Sequence, residues 1–204
     1  YIVWNTYNEK ADKYVRMHGC MNFAQGGASA DVNWAIKNYG IVPLEIYSGL
    51  NYGENIHAHA ELDGVLGAYL KVIVSNPNKK LSTAWKKGFD GILDAYLGAK
   101  PEKFTFRGKE YTPMSFYQST GLNMDDYISL TSFTHHPFYT KFALEVPDNW
   151  IGEESYNLPL DELMEVLDKA IDNGYTFSWG SDVSEIGFLR DGTVSYTHLT
   201  LPTI

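Results

Sequence analysis

The chain has 204 residues, 44% of them apolar and 15% aromatic, with a formal net charge of −9 and one cysteine. That composition is globular and core-forming and excludes a disordered chain, and the acidic balance gives no support to tight nucleic-acid binding. There is no run of apolar residues long enough to span a membrane, and a single cysteine excludes an internal disulfide and fits a reducing, cytoplasmic compartment.

Fifteen Tyr and five Trp predict a core of large amphipathic side chains that need hydrogen-bond partners. Trp4, Tyr7, Ala11, Tyr14 and Val15 recur at helical spacing over 4–17, and Gly19 ends the run. Gly26-Gly27 breaks the chain. Ser29 then caps a second helix with Val32, Ala35, Ile36 and Tyr39 on one face, closed by Gly40. Residues 41–56 read as loop and short extended pieces around Pro43, Gly49 and Gly53. Leu62, Val65, Leu66, Tyr69, Leu70 and Ile73 form the stripe of a strong helix over 60–75, stopped by Asn76-Pro77-Asn78. A further helix runs from Ser82 to Leu97 with Trp85, Phe89, Ile92, Leu93 and Tyr96 inward.

Residues 104–112 read as a small hairpin around Gly108, and Thr112-Pro113 as an N-cap with proline at the first helical position. Tyr127–Phe133 and Phe138–Val146 are expected to be extended. Leu160, Leu163, Met164, Leu167, Ala170 and Ile171 make a last helix stopped by Gly174, followed by a strand from Tyr175 to Trp179 that runs on to 183. Val194-Ser-Tyr-Thr-His-Leu-Thr-Leu-Pro-Thr203 reads as translated sequencing adapter. Residues 194–204 are therefore expected to be a non-native tail, and 1–193 an internal slice of a longer protein.

Local motifs carry little chemistry. Cys20 follows a helix end, the wrong pole of the dipole for a nucleophilic thiolate, and reads as structural. His57-Ala-His59 and His135-His136 could suggest a metal site, but a helix after His57 would splay positions two apart, so no metal ligand is assigned. Adjacent Asp125-Asp126 and Glu153-Glu154 point apart and suit a solvated surface or helix cap rather than an acid–base dyad. Gly26-Gly27 is either a plain turn or a place where another backbone approaches closely.

Gly26-Gly27, a helix, then Asn38-Tyr-Gly-Ile41 with Glu45 and Tyr47 resembles a segment of papain-like cysteine peptidases. The blocks Lys13–Gly19, Leu50–Gly53, Ser82–Asp90 and Thr131–Thr140 are similar to the bleomycin hydrolase and bacterial aminopeptidase C branch, in order and spacing over essentially all of 1–193. The resemblance implies an α+β papain-like fold: 1–50 part of the helical half, 51–150 a mainly helical inserted subdomain, and 151–193 the start of the β half. It implies a cysteine aminopeptidase with a Cys-His-Asn mechanism and a Gln at the oxyanion, needing no cofactor, acting on peptide substrates and assembling as a homo-oligomer, a hexamer by family likeness. None of those four residues falls on this chain, because the family places them before its start or after its end, so the chain alone is expected to be inactive.

Substrate-binding residues do carry over. Gly26 and Gly27 align with the glycine pair against which papain-like enzymes pair the substrate backbone, where a Cβ would obstruct it. Trp179 aligns with a wall of the second-subsite pocket, with a plain core tryptophan as the alternative. Two other readings stand beside the peptidase: a non-enzymatic papain-fold binding or assembly subunit, and a metal-dependent hydrolase using His57, His59 and His135. With half of a papain core outside the slice, the apolar faces of 4–15 and 175–179 are expected to lack their partners.

Overall fold

A computed structural model describes residues 1–180; the expected non-native tail and the end of the 175–183 strand lie outside the described residues. By contact the chain forms two units. The first is Tyr1–Ile128 with Ala143–Glu153, and the second is Ser129–Phe142 with the chain from Glu154 onward.

The first unit is built on helices α1 (Ile2–Arg16), α2 (Ser29–Tyr39), α3 (Ala60–Val74) and α4 (Trp85–Leu97). Their apolar stripes close on one another. Leu62, Leu66 and Leu70 of α3, spaced by four, and Phe89 and Leu93 of α4 are all essentially sealed from solvent. Each such side chain contributes about 1.5–3 kcal/mol on burial. Trp4, Tyr7, Ala11, Tyr14 and Val15 bring α1 into the same core, so the face of 4–15 has partners, contrary to expectation. The polar ends of its aromatics are satisfied, as burial demands. Trp4 Nε1 donates to Asp94 at 2.9 Å, Tyr47 Oη to the Gly98 carbonyl at 2.8 Å and Tyr69 Oη to the Trp85 carbonyl at 2.8 Å.

On helix α2 Ala35 is buried and Ile36 and Tyr39 are half-buried, as expected, while Val32 is exposed. Asp31, outside the expected face, turns inward and accepts a hydrogen bond at the helix start. Gly40 closes α2 at φ +74°, with its N–H on the Ile36 carbonyl. A Cβ there would lie 2.3 Å from the Pro113 carbonyl, so the site admits only glycine. Strands β1 (Phe104–Phe106) and β2 (Lys109–Tyr111) form the expected antiparallel hairpin. Helix α5 (Pro113–Ser119) starts at Thr112, whose hydroxyl accepts from the Ser115 N–H at 3.1 Å.

The second unit holds strands β3 (Leu130–Thr131) and β5 (Glu154–Asn157), which pair in parallel, and helix α6 (Leu160–Asp172). Strand β4 (Lys141–Ala143) lies on the other side of β5 in the sheet order β3-β5-β4. The segment Glu154-Ser-Tyr-Asn157 gives no apolar alternation, and its strand is set instead by Asn157. That side chain is fully buried. Its Nδ2 donates to the carbonyls of Phe133 (2.8 Å), His136 (3.0 Å) and Pro137 (3.3 Å), and its Oδ1 accepts from the Phe133 N–H (2.8 Å).

Helix α6 forms where expected, with Leu163 buried and Met164 and Ile171 exposed. One expectation fails: residues 175–180 form no strand. A strand requires a neighbour to hydrogen-bond, and among the described residues none pairs with this segment.

Candidate functional site

The Gly26–Gly27 loop links α1 to α2 and is exposed at both glycines. It is held from beneath by two buried charges. Lys10 projects from the buried face of α1 and is 4% exposed. Its ammonium donates to the carbonyls of Ala24 at 3.0 Å and Gly26 at 2.6 Å. Burial lowers the Lys10 pKa, and the nearby carboxylates of Asp31, Asp148 and Asp63 oppose that shift.

Asp31, in the first turn of α2, is 3% exposed, and its Oδ2 accepts from the Ala28 N–H at 2.8 Å. Burial raises its pKa, against the pull of the Ala28 N–H, the Trp150 indole and Lys10. Its Oδ1 and the Trp150 Nε1 are both buried without a hydrogen-bond partner that meets ordinary geometry.

The segment 143–153 delivers Asp148 and Trp150 to this loop. Asn149 shapes it, donating to the carbonyls of Leu144 (3.0 Å) and Glu153 (2.9 Å) and accepting from the Glu153 N–H (2.9 Å). Lys13 donates to the Trp150 carbonyl, the Lys10 ammonium sits 5.9 Å from the centre of the Trp150 ring, and Trp34 meets that ring edge-on at 5.7 Å.

The two glycines differ in what they exclude. Gly26 stands at φ +98°, where side chains are strained, and a Cβ on it would make only ordinary contact with Asp148. A Cβ on Gly27 would fall 2.5 Å from Asp31 Oδ2. The inward-facing groups of the loop are thus spent on Lys10 and Asp31. Among the described residues no hydrogen bond engages the N–H or C=O of Gly27.

Trp179, the third expected site residue, belongs to the second unit; it is 56% exposed and its ring lies 6.2 Å from that of Phe177. The free thiol of Cys20 is exposed at the C-terminal end of α1, not buried as a structural cysteine would be. His57 and His59 do not diverge as expected. Helix α3 starts only at Ala60, and the two rings meet edge to face at 5.6 Å. His135, in the second unit, lies against His136 at 4.5 Å.

Lys10, Asp31, Asp148 and Trp150 were missed from the sequence. A signal existed for the first two. Lys10 falls between Tyr7 and Tyr14 on an otherwise apolar helical face, and Asp31 stands three residues after the helix boundary, where a capping carboxylate belongs. Trp150 and Asp148 reach the loop from more than a hundred residues away, and no local pattern marks them.

The comparisons with known proteins define the class of this chain. The model of the Peptidase C1-like family matches residues 2–199, and the chain belongs to that family. The match runs past residue 193 into the stretch expected to be a tail. Aminopeptidase C of Streptococcus thermophilus is 25% identical over 187 residues, covering 78% of this chain and 41% of that protein. The crystal structure of PepW from Lactobacillus rhamnosis HN001 superposes with a TM-score of 0.57 at 20% identity, covering 84% of this chain and 46% of that one. The chain thus spans less than half the length of these relatives, and its fold is α+β and papain-like.

Proposed function

We propose that this chain is the substrate-binding middle of a thiol-dependent aminopeptidase, whose catalytic Cys, His and Asn are supplied by sequence outside it. The observation that carries the reading is Gly27, an exposed residue whose N–H and C=O have no hydrogen-bond partner among the described residues, on a loop braced by buried charges. An extended peptide laid antiparallel to it gains main-chain hydrogen bonds, which bind any sequence, while side-chain pockets select among them. In such an enzyme the Cys thiolate attacks the carbonyl carbon and forms an acyl-enzyme. The His takes the thiol proton and returns it to the leaving amine, and water then releases the acyl group.

Trp179 is assigned to the wall of the second-subsite pocket, and its exposed indole suits contact with a substrate side chain. The same family likeness supports a homo-oligomer, hexameric in form. The single cysteine suits a reducing, cytoplasmic setting. Among the described residues no helix is long and apolar enough to cross a membrane.

The test is hydrolysis of aminoacyl and amino-blocked peptide reporters by the intact protein that contains this chain. Expected is cleavage of free-amino reporters only, abolished by iodoacetamide and absent from the 204-residue chain alone. Thiol-independent cleavage, or an intact protein that binds peptides without cleaving them, would overturn the enzymatic reading; the second outcome would favour a binding scaffold.

A further inference from the structure

Lys10 and Asp31 share the task of using up the inward polar groups of the loop, but only Asp31 also limits where Gly27 can sit. Its Oδ2 holds the Ala28 N–H at 2.8 Å. The same oxygen lies 2.5 Å from where a Gly27 Cβ would be, so the Gly27 Cα rests directly against the carboxylate. On the other side of Gly27, the Gly26 carbonyl is tied to Lys10 at 2.6 Å. The peptide units on both flanks are therefore fixed by buried groups, and the orientation of the Gly27 N–H and C=O, which have no partner among the described residues, follows from them. The carboxylate is itself immobile. It is 3% exposed, pinned by the Ala28 N–H and enclosed by Lys10, Asp148 and Trp150.

We infer that Asp31 is a positioning residue for substrate binding, which orients the Gly27 backbone for pairing with an extended peptide; this rests on the assignment of Gly26–Gly27 as the substrate edge. Asp31 touches no substrate in this arrangement. It acts through Ala28 and Gly27. The glycine at 27 is then required by the carboxylate beneath it, whether or not a substrate is bound.

The experiment follows amide resonances of the isotope-labelled 204-residue chain on titration with tetra-alanine bearing a free amino terminus. In the wild type the peptide is expected to shift Gly27 and Ala28. Asp31→Ala weakens binding about tenfold, the loss of roughly one to two net backbone hydrogen bonds. Asp31→Asn restores it, because an amide oxygen still accepts from the Ala28 N–H. Gly27→Ala gives an independent test if Asp31→Ala fails to fold, since its methyl displaces the carboxylate and should weaken binding likewise. If Asp31→Ala binds as the wild type does while its Ala28 amide exchanges faster, the positioning role is overturned and the substrate edge stands. If the peptide leaves the wild-type Gly27 and Ala28 resonances unmoved, the substrate edge is overturned and the positioning role falls with it.

Discussion

The α1 face, at helical spacing, and the 175–179 segment, alternating like a strand, are both patterned for burial and meet opposite ends. Trp4, Tyr7 and Ala11 are 6%, 4% and 0% exposed, whereas Tyr175, Phe177 and Trp179 are 69%, 42% and 56% exposed. The difference lies in what each can reach nearby. The α1 face meets α3 and α4, two further amphipathic helices of its own unit, and the three stripes seal one another. The 175–179 segment has alternating aromatics but no strand to pair with among the described residues. Periodicity therefore specifies which residues of an element face the same way. Burial is a property of the company the element keeps.

The comparison breaks most sharply under truncation. Phe89→Ala empties a fully buried site at the meeting of α1, α3 and α4, and should cost about 3–5 kcal/mol in urea unfolding. Ile171→Ala, on the exposed face of α6, should stay within about 0.5 kcal/mol although each residue sits in an apolar helical stripe of its own helix. Near-equal losses would mean that the exposed face is covered in solution.

The second unit relies on polar anchoring where the first relies on apolar contact. Asn157→Ala removes four hydrogen bonds at once and strands the Phe133 N–H and the carbonyls of Phe133, His136 and Pro137. A loss of about 2–3 kcal/mol is expected, read by fast hydrogen exchange at Phe133. Unchanged exchange there would show that the 133–137 turn stands without its asparagine.

These differences mark how far the sequence could be read. Helices α3 and α4 were legible because their leucines and aromatics recur every three or four residues and their ends carry Asn76-Pro77 and Gly98. The hairpin and the Thr112 cap were legible from turn and capping chemistry alone. Strand β5 was not, since its polar residues give no alternation and Asn157 is buried by hydrogen bonding, not by hydrophobicity. On α2 the apolar spacing placed Ala35, Ile36 and Tyr39 but not the buried Asp31, which a helix-start hydrogen bond holds inward. At the candidate site, the glycine pair was visible through family likeness, and the charges beneath it were not. Lys10 and Asp31 carried only positional hints, an apolar helical face and a capping position, and those do not by themselves separate a buried charge from a surface one.

The smallest effect concerns one of those hidden charges, and it sharpens the contrast between apolar and polar support within the first unit. Burial raises the folded-state pKa of Asp31 above its ordinary carboxylate value. A raised acid holds its proton more tightly when folded, so its contribution to stability is complete below the unfolded pKa and is lost as pH climbs through the folded one. Lys10, Asp148 and Trp150 surround the group, and Asp148 is the other acid that must be held in mind when the profile is read. Asp31→Asn keeps the acceptor for the Ala28 N–H, and aspartate and asparagine cap helices about equally well. The variant should therefore match the wild type near pH 3 and become the more stable of the two as pH rises to 6, measured by paired urea unfolding curves. A gap that stays constant across that range would mean that Asp31 titrates alike in the folded and unfolded chain. A wild type that gains on the variant as pH rises would mean that the attraction of Lys10 outweighs the cost of burying the carboxylate.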